Sequence, residues 1–173
     1  MIKIAITGPE SSGKTSLAKD LANYYKTDWI PEYARTYLLK NGLNYSKEDL
    51  DKIAIGQVEL WKNAKTKDIL FYDTEMLVMK IWSEVKYKTV SETIKNLLKE
   101  QKFDFYLLCS PDIPWKEDPL RENSSNRDEL FELYLKELKT NNLPFDIIKG
   151  DRLERLSNTI KIIGELNLGS RSL

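Results

Sequence analysis

The sequence predicts an α/β domain in which a five-stranded parallel sheet lies between two layers of helices. Short apolar segments alternate with longer amphipathic segments, and this alternation is typical of successive βα units. The apolar segments are continuous, as expected for strands that are buried on both faces. The 173 residues fit one domain, so we expect a single domain over residues 1–173.

The first half of the chain contains two clear helix signals and two clear stops. Leu17 and Leu21 lie four residues apart, which is the spacing of one helix face. Pro31 ends a short strand, Gly42 ends a helix, and Ser46 with two acidic residues behind it begins the next helix. The predicted elements are strand Ile2–Thr7, helix Thr15–Tyr25, strand Asp28–Ile30, helix Glu32–Lys40, a helix from Ser46 through Trp61, and strand Ile69–Tyr72.

The second half continues the alternation, with one long loop that is rich in proline and charge. The predicted elements are helices Met76–Val85 and Ser91–Gln101, strand Phe105–Cys109, loop Asp112–Asn126, helix Asp128–Leu138, strand Phe145–Lys149 and helix Arg152–Leu166. Right-handed crossovers place the loops that follow parallel strands at one edge of the sheet, so the functional residues are expected there.

The composition excludes several classes of function. The chain contains no histidine and one cysteine, Cys109, which excludes a Ser-His-Asp or Cys-His apparatus, a histidine metal site and an internal disulfide. Lys plus Arg and Asp plus Glu number 27 each, so no overall field attracts nucleic acid or a membrane surface. The N-terminus has no signal-peptide layout, and no apolar run reaches a membrane span. We expect a cytoplasmic protein without nucleic-acid or membrane partners.

A phosphate-binding loop is the most specific motif in the chain. Gly8 through Thr15 matches G-x-x-x-x-G-K-S/T and lies between an apolar strand and an amphipathic helix. Its glycines permit a tight turn, its amides point at phosphate oxygens, Lys14 is expected to neutralise the β- and γ-phosphates, and the Thr15 hydroxyl to bind Mg²⁺. The guanine motif N-K-x-D is absent, which favours ATP. The predicted nucleotide contacts are Gly8, Glu10, Ser11, Ser12, Gly13, Lys14, Thr15, Ser16 and Arg155.

Carboxylates follow two of the predicted strands. Asp73 ends an apolar strand, where it is expected to bind Mg²⁺ with Thr15, directly or through water; it is also a candidate base and a candidate helix cap. Glu32 and Arg35 share one helix face. Glu32 is the second candidate base, and Arg35 is expected to hold a phosphate or that carboxylate. A plain surface ion pair is the alternative for these two residues.

The loop over residues 112–127 is predicted to be a lid that carries catalytic arginines. Arg121 and Arg127 are expected to stabilise charge on the transferring phosphoryl group, and a mobile charged loop is the alternative. Among the aromatic residues, Tyr33 and Trp115 are the expected contacts of a flat acceptor ring. The helical spacing of Trp61 and Trp82 favours core positions for both.

Together these motifs resemble the kinase domain of the NadR family, the ribosylnicotinamide kinases, over about residues 1–165. The segments that carry the resemblance are Gly8–Thr15, Pro31–Arg35, Asp51–Gln57, Asp73-Thr74, Asp112–Trp115, Leu120-Arg121 and Arg127. The resemblance implies a three-layer P-loop NTPase of the nucleoside-kinase kind. It also implies ATP and Mg²⁺ as cofactors, and transfer of the γ-phosphate to the 5′-hydroxyl of nicotinamide riboside.

The resemblance has one departure at the expected ring pocket. The family has a tryptophan directly before Glu-Tyr-Gly-Arg, whereas this chain has Pro31 there and Ala34 in place of the glycine. Trp29 would face the same side of the strand as Pro31. The family's adenylyltransferase motif H-x-G-H needs histidine, so we expect a stand-alone kinase domain. The altered pocket keeps two alternatives open, a regulatory ATP-binding protein without a small-molecule acceptor and a nucleoside monophosphate kinase.

Overall fold

The structure, a computed structural model, describes residues 1–64, 68–122 and 124–169. In this part of the chain five strands alternate with seven helices. The elements are β1 Ile2–Thr7, α1 Lys14–Tyr25, β2 Trp29–Ile30, α2 Tyr33–Asn41, α3 Lys47–Lys62, β3 Ile69–Asp73, α4 Met76–Tyr87, α5 Glu92–Glu100, β4 Phe105–Cys109, α6 Arg127–Thr140, β5 Phe145–Ile148 and α7 Arg152–Gly169.

The sheet has the strand order β2-β3-β1-β4-β5, and every neighbouring pair is parallel. β1 therefore lies at the centre, with Ile6 opposite Asp73 of β3 and Leu107 of β4. Because all strands run the same way, the segments that follow them meet at one edge of the sheet. The predicted α/β class with a five-stranded parallel sheet is confirmed.

Helices cover both faces of the sheet. Ile4 and Ile6 of β1 pack with α1 and α7, whereas Ala5 packs on the opposite face with Leu77 of α4 and Leu130 of α6. This split follows from the alternation of side chains along a strand. A third core cluster joins α2, α3, α4 and α5 beside the β2 edge. None of the helices in the described residues combines the length and apolarity that crossing a bilayer requires.

The ends of the predicted elements differ from the observed ends by a few residues, as is usual for frayed helix termini. The largest difference is in the last helix, which continues to Gly169 instead of ending at Leu166. The start of α3 follows the prediction, because the Ser46 hydroxyl accepts from the Asp49 amide while the Asp49 carboxylate accepts from the Ser46 amide.

Candidate active site

The phosphate loop joins the centre of the sheet to α1. Gly8 has a φ of 130°, and a Cβ at this position would lie 2.7 Å from the carbonyl oxygen of Cys109. Only glycine therefore fits against the end of β4. The Lys14 ammonium group donates hydrogen bonds to the carbonyl oxygens of Gly8 (2.9 Å) and Pro9 (2.8 Å). The loop thus surrounds the ammonium group of its own lysine. The N-terminus of α1 lies beyond the carboxyl end of β1, where its backbone amides can bind an anion.

Thr15 and Asp73 form a pair between the loop and β3. The Thr15 hydroxyl donates to Oδ2 of Asp73 at 2.5 Å, and Asp73 is 1% exposed. The other carboxylate oxygen, Oδ1, is buried and has no hydrogen-bond partner among the described residues. Burial raises the pKa of Asp73, and the Lys14 charge and the Thr15 hydrogen bond act against this rise.

This pair fits a hard divalent cation. A buried carboxylate oxygen without a partner, next to a hydroxyl, is the oxygen donor set that Mg²⁺ takes beside phosphate groups. The described part of the chain contains no group of three or more acidic or cysteine side chains that could hold a metal by itself. Thr15 and Asp73 would therefore share an ion with phosphate oxygens and water.

Glu32 stands at the N-terminus of α2 and lines a cavity beside the phosphate loop. Its pKa is raised to about 7, first by burial and then by the negative charge of Asp73, while Lys14 and Arg35 lower it. A carboxylate with this pKa accepts a proton effectively near neutral pH. Arg35 lines the same cavity and forms an ion pair of 2.6 Å with Asp118 of the lid.

The cavity has a volume of about 480 Å³ and connects the phosphate loop to an apolar chamber. Its loop end is lined by Gly8, Glu10, Ser11, Ser12, Gly13, Lys14, Thr15 and Ser16. Its far end is lined by Glu32, Ala34, Arg35, Leu38, Val78, Ile81, Trp82, Val85, Lys86, Leu120, Arg121, Glu122, Leu130 and Tyr134. A concave site of this size, which combines apolar side chains with charged and hydroxyl groups, suits a small organic ligand that carries polar groups.

A hydrogen-bond network fixes the aromatic part of the chamber wall. The indole N–H of Trp82 donates to the Tyr45 hydroxyl at 2.8 Å, and that hydroxyl donates to Oε2 of Glu122 at 2.8 Å. Lys86 donates to Oε1 of the same Glu122 at 2.8 Å and lies 3.8 Å from the Tyr45 ring centroid. One lid carboxylate therefore connects the lid to both α4 and the segment before α3.

The lid segment docks on the phosphate loop through Ser11 and Glu10. The Ser11 hydroxyl accepts from the Lys116 amide at 2.9 Å and from the Arg121 guanidinium at 3.3 Å. The Ser11 carbonyl oxygen accepts from Arg127 at 3.1 Å, and Glu10 accepts from the Glu122 amide at 3.0 Å. Both arginines that the sequence assigns to catalysis thus reach the loop.

Arg155 lies beneath the phosphate loop instead of in the cavity wall. It is 3% exposed and donates to the carbonyl oxygens of Ser12 (2.7 Å), Ser110 (2.9 Å) and Gly150 (2.7 Å), and to the carboxylate of Asp112. These bonds connect the loop to the ends of β4 and β5. Arg155 therefore stabilises the backbone of the phosphate loop, and it does not line the cavity in which the sequence predicted it to contact the nucleotide.

The two aromatic residues predicted to contact the acceptor ring, Tyr33 and Trp115, lie outside the cavity wall, and so does Trp29. The Tyr33 ring fills the space over Gly56, where a Cβ would lie 2.1 Å from a ring carbon. Trp115 packs against Arg121 and Arg127. Trp29 packs with the core on the α1 side, with the Lys19 ammonium 5.5 Å from its ring centroid.

Trp82 packs against the third core cluster, as its helical spacing predicted, and it also lines the chamber. A signal for this role exists in the sequence of α4. The helix is apolar nearly all round, and such a helix buries more than one face. Leu77 and Ile81 pack in the core cluster of the sheet, and Ile81 also lines the cavity together with Trp82 and Val85.

Comparison with known proteins agrees with the α/β fold and the phosphate loop described above. The model of the AAA domain family matches residues 3–155. The chain belongs to this family. It is 30% identical over 174 residues to the trifunctional NAD biosynthesis/regulator protein NadR of Salmonella typhimurium, and 29% identical to NadR of Escherichia coli. Each match covers 94% of this chain and 42% of the relative, so the chain spans less than half of either protein.

Solved structures show the same fold at lower sequence identity. A crystal structure of NadR in complex with NR has a TM-score of 0.80 at 20% identity, covering 95% of this AAA-family chain and 49% of that one. A deoxyadenosine kinase from M. mycoides has a TM-score of 0.68 at 16% identity, covering 95% and 100%. The predicted resemblance to NadR is thus confirmed, and the domain has the fold of nucleoside and nucleotide kinases.

Proposed function

We propose that this AAA-family domain is a Mg²⁺- and ATP-dependent kinase of a nucleoside-like small molecule, with nicotinamide riboside as the first candidate acceptor. One observation carries the proposal: a single cavity joins the phosphate loop to a chamber lined by Glu32 and by Trp82. A site for two substrates in one cavity is what direct group transfer needs. We also propose that residues 1–173 act as one domain with a lid at about 112–127.

The charges in the chamber favour an acceptor without a phosphate group. Three cations line it. Arg121 is assigned to the transferred phosphoryl group, and Arg35 and Lys86 are each paired with a lid carboxylate, Asp118 at 2.6 Å and Glu122 at 2.8 Å. A site for a nucleoside monophosphate needs cations that are available to the phosphate. Pairing within the protein therefore favours a nucleoside over its monophosphate.

Glu32 is the proposed base, because Asp73 is already engaged by Thr15. As the acceptor hydroxyl oxygen bonds to the γ-phosphorus, its proton passes to the Glu32 carboxylate. The bond from that phosphorus to the β–γ bridging oxygen breaks, and ADP leaves with the electron pair. Lys14, Arg121 and Arg127 carry positive charge toward the phosphoryl oxygens, where it stabilises the transition state.

Thr15 and Asp73 are the proposed Mg²⁺ ligands, and the ion supplies positive charge that offsets the charge of the phosphate groups. The loop amides and the N-terminus of α1 bind the same groups from the protein side. Burial of Asp73 beneath Thr15 keeps both oxygen donors in fixed positions.

Nicotinamide riboside is the first candidate because the NadR relatives are named for NAD biosynthesis and a solved NadR holds NR. Its ring is flat and positively charged, and an aromatic wall attracts such a ring. In this chain we assign that wall to Trp82, because Pro31 stands where the family has tryptophan.

The test is ADP release, with identification of the phosphorylated product, from Mg·ATP and a panel of acceptors. The panel contains nicotinamide riboside, the common nucleosides and the matching monophosphates. Lys14→Ala is expected to abolish transfer, while Lys99→Ala, at an exposed site on α5, serves as the matched control.

Three results would change the assignment. Transfer to another nucleoside alone keeps the chemistry and replaces the acceptor. Transfer to monophosphates alone contradicts the argument from paired charges. Slow hydrolysis that no acceptor accelerates, with ATP still bound, contradicts the kinase assignment and favours a regulatory ATP-binding protein.

A further inference from the structure

We propose that Trp115 is a positioning residue that aims Arg121 and Arg127 at the terminal phosphate of the bound nucleotide. This inference rests on the proposed function, because it concerns the lid of the same site. It assigns Trp115 a role toward the two arginines and not toward the acceptor ring that the sequence suggested.

The indole ring of Trp115 lies near two guanidinium groups. The guanidinium carbons of Arg121 and Arg127 lie 5.9 Å and 5.7 Å from its ring centroid. Both distances fall within the range in which a cation is attracted to the face of a tryptophan. One ring therefore contacts two cations, one from within the lid and one from the first residue of α6.

The backbone on either side of Trp115 binds the same two arginines. The carbonyl oxygen of Ile113 accepts from both terminal nitrogens of Arg127 at 3.1 Å. The carbonyl oxygen of Lys116 accepts from Arg121. Residues 113–116 thus form a cradle for the guanidinium groups, with the ring at its centre.

The cradle points toward the phosphate loop. Nη1 of Arg121 and Nη1 of Arg127, which bind the lid carbonyl oxygens, also donate to Ser11, and the Lys116 amide donates to the Ser11 hydroxyl. Ser11 has a φ of 52° and lies in the turn that the loop makes around its phosphate site. Arg121 lines the cavity at this place, where the far end of a triphosphate would bind, and Arg127 binds Ser11 from outside the cavity lining.

The ring, and not its polar group, is the part of Trp115 that acts in this arrangement. In the described residues the indole nitrogen is buried and has no hydrogen-bond partner. Phenylalanine therefore keeps the aromatic face and loses no hydrogen bond of this structure, whereas leucine removes the face. The two substitutions separate positioning of the arginines from direct binding of a ligand by the indole N–H.

The experiment compares Trp115→Phe with Trp115→Leu in transfer rate and in affinity for Mg·AMP-PNP and Mg·ADP. Loss of two cation–ring contacts is expected to weaken AMP-PNP binding and lower kcat by roughly tenfold in Trp115→Leu. ADP affinity is expected to stay within about twofold, since ADP lacks the phosphate that the arginines reach. Trp115→Phe is expected to stay close to the unmodified chain in every measurement.

Each other outcome overturns the proposal. Equal losses in both variants mean that the indole N–H binds a ligand, and equal weakening of AMP-PNP and ADP means that the ring does not act on the terminal phosphate. If Trp115→Leu does not fold, Trp115→Met replaces it, and Trp61→Phe controls for the loss of a remote tryptophan. If the unmodified chain transfers phosphate to no acceptor, the proposed function fails while the nucleotide comparison still tests the role of Trp115.

Discussion

The Thr15 hydroxyl donates a hydrogen bond of 2.5 Å to the Asp73 carboxylate, and this bond joins the end of the phosphate loop to the end of β3. The two residues lie 58 positions apart in sequence and meet because β1 and β3 are parallel neighbours in the sheet. The second oxygen of Asp73 is buried beside this bond without a partner in the described residues. The pair is therefore positioned to bind a cation, which would give the second oxygen of Asp73 a partner.

Asp73→Asn is expected to weaken the dependence of activity on Mg²⁺. The amide has one carbonyl oxygen and no negative charge, so apparent Mg²⁺ affinity should fall by about 10–100-fold. Titration of the transfer rate with MgCl₂ at fixed ATP measures the change. Asp68→Asn, which changes an acidic residue directly before β3, is the matched control, and an unchanged Mg²⁺ curve for Asp73→Asn would contradict the assignment.

Glu32 is expected to give the reaction a pH dependence in the neutral range. Because the base acts when it is deprotonated and its pKa is about 7, kcat/KM for the acceptor should rise as pH increases through neutrality and then level off. Glu32→Gln should remove this rise and leave a residual rate lower by about 10²–10⁴-fold. A profile that keeps its rise in Glu32→Gln would assign the titration to another group.

The same carboxyl group should also affect stability. Its pKa is higher in the folded chain, about 7, than the ordinary value of 4.5, so the folded state binds more protons between these pH values. The free energy of unfolding should therefore fall as pH rises from 4.5 to 7. Urea denaturation of the unmodified chain and of Glu32→Gln at several pH values checks this. As pH rises toward 7, the free energy of unfolding of the unmodified chain should fall relative to that of Glu32→Gln, which has no carboxyl group to titrate at this position.

Trp82→Leu is expected to raise the KM for the acceptor and to leave the KM for ATP nearly unchanged. Stacking of a base on an aromatic side chain contributes about 1–3 kcal/mol, so the acceptor KM should rise by roughly tenfold or more. Trp61→Leu is the matched control. Trp61 packs edge-on against Tyr72 and Phe103, away from the cavity lining, so its loss should lower stability and leave both KM values unchanged.

Gly56→Ala is expected to destabilise the fold by about 1–3 kcal/mol, since its new methyl group would overlap the Tyr33 ring. Gly164→Ala in α7 is the control, because nothing lies within 4 Å of a Cβ there and alanine favours a helix. Urea denaturation measures both. Tyr33→Ala combined with Gly56→Ala should be less destabilised than the sum of the two single changes, and strict additivity would contradict the overlap.

The phosphate loop and the strand-end carboxylates could be predicted from the sequence because local order determines them. Lys14 and Thr15 belong to one short motif, and Asp73 ends a strand that must join the same sheet. The apolar pattern of α4 indicates that this helix buries more than one face, but which side chains form the chamber wall depends on long-range contacts. Tyr45 and Glu122 meet across 77 positions, and their contact fixes Trp82 at the cavity.

The position of Tyr33 shows the limit of reasoning from sequence neighbours. Tyr33 follows Glu32 directly, and the sequence predicts a role toward the acceptor for both residues. Residues next to each other at a helix start point in different directions. Gly56 provides a gap on α3 that accommodates the ring, so Tyr33 packs away from the cavity while Glu32 lines it.

The strand order places two carboxylates and two guanidinium groups of the site on opposite sides of the central strand. The carboxylates of Glu32 and Asp73 follow β2 and β3 on one side of the central strand, whereas Arg121 and Arg127 follow β4 on the other side. Arg35 beside Glu32 and the lid carboxylates of Asp118 and Glu122 are bound in ion pairs, so the separation of charge concerns only the two carboxylates and the two guanidinium groups on either side of β1. In the proposed reaction, negative charge moves from the acceptor oxygen near Glu32 toward the phosphoryl oxygens near the two arginines. The order of the strands therefore sets the direction of this charge movement.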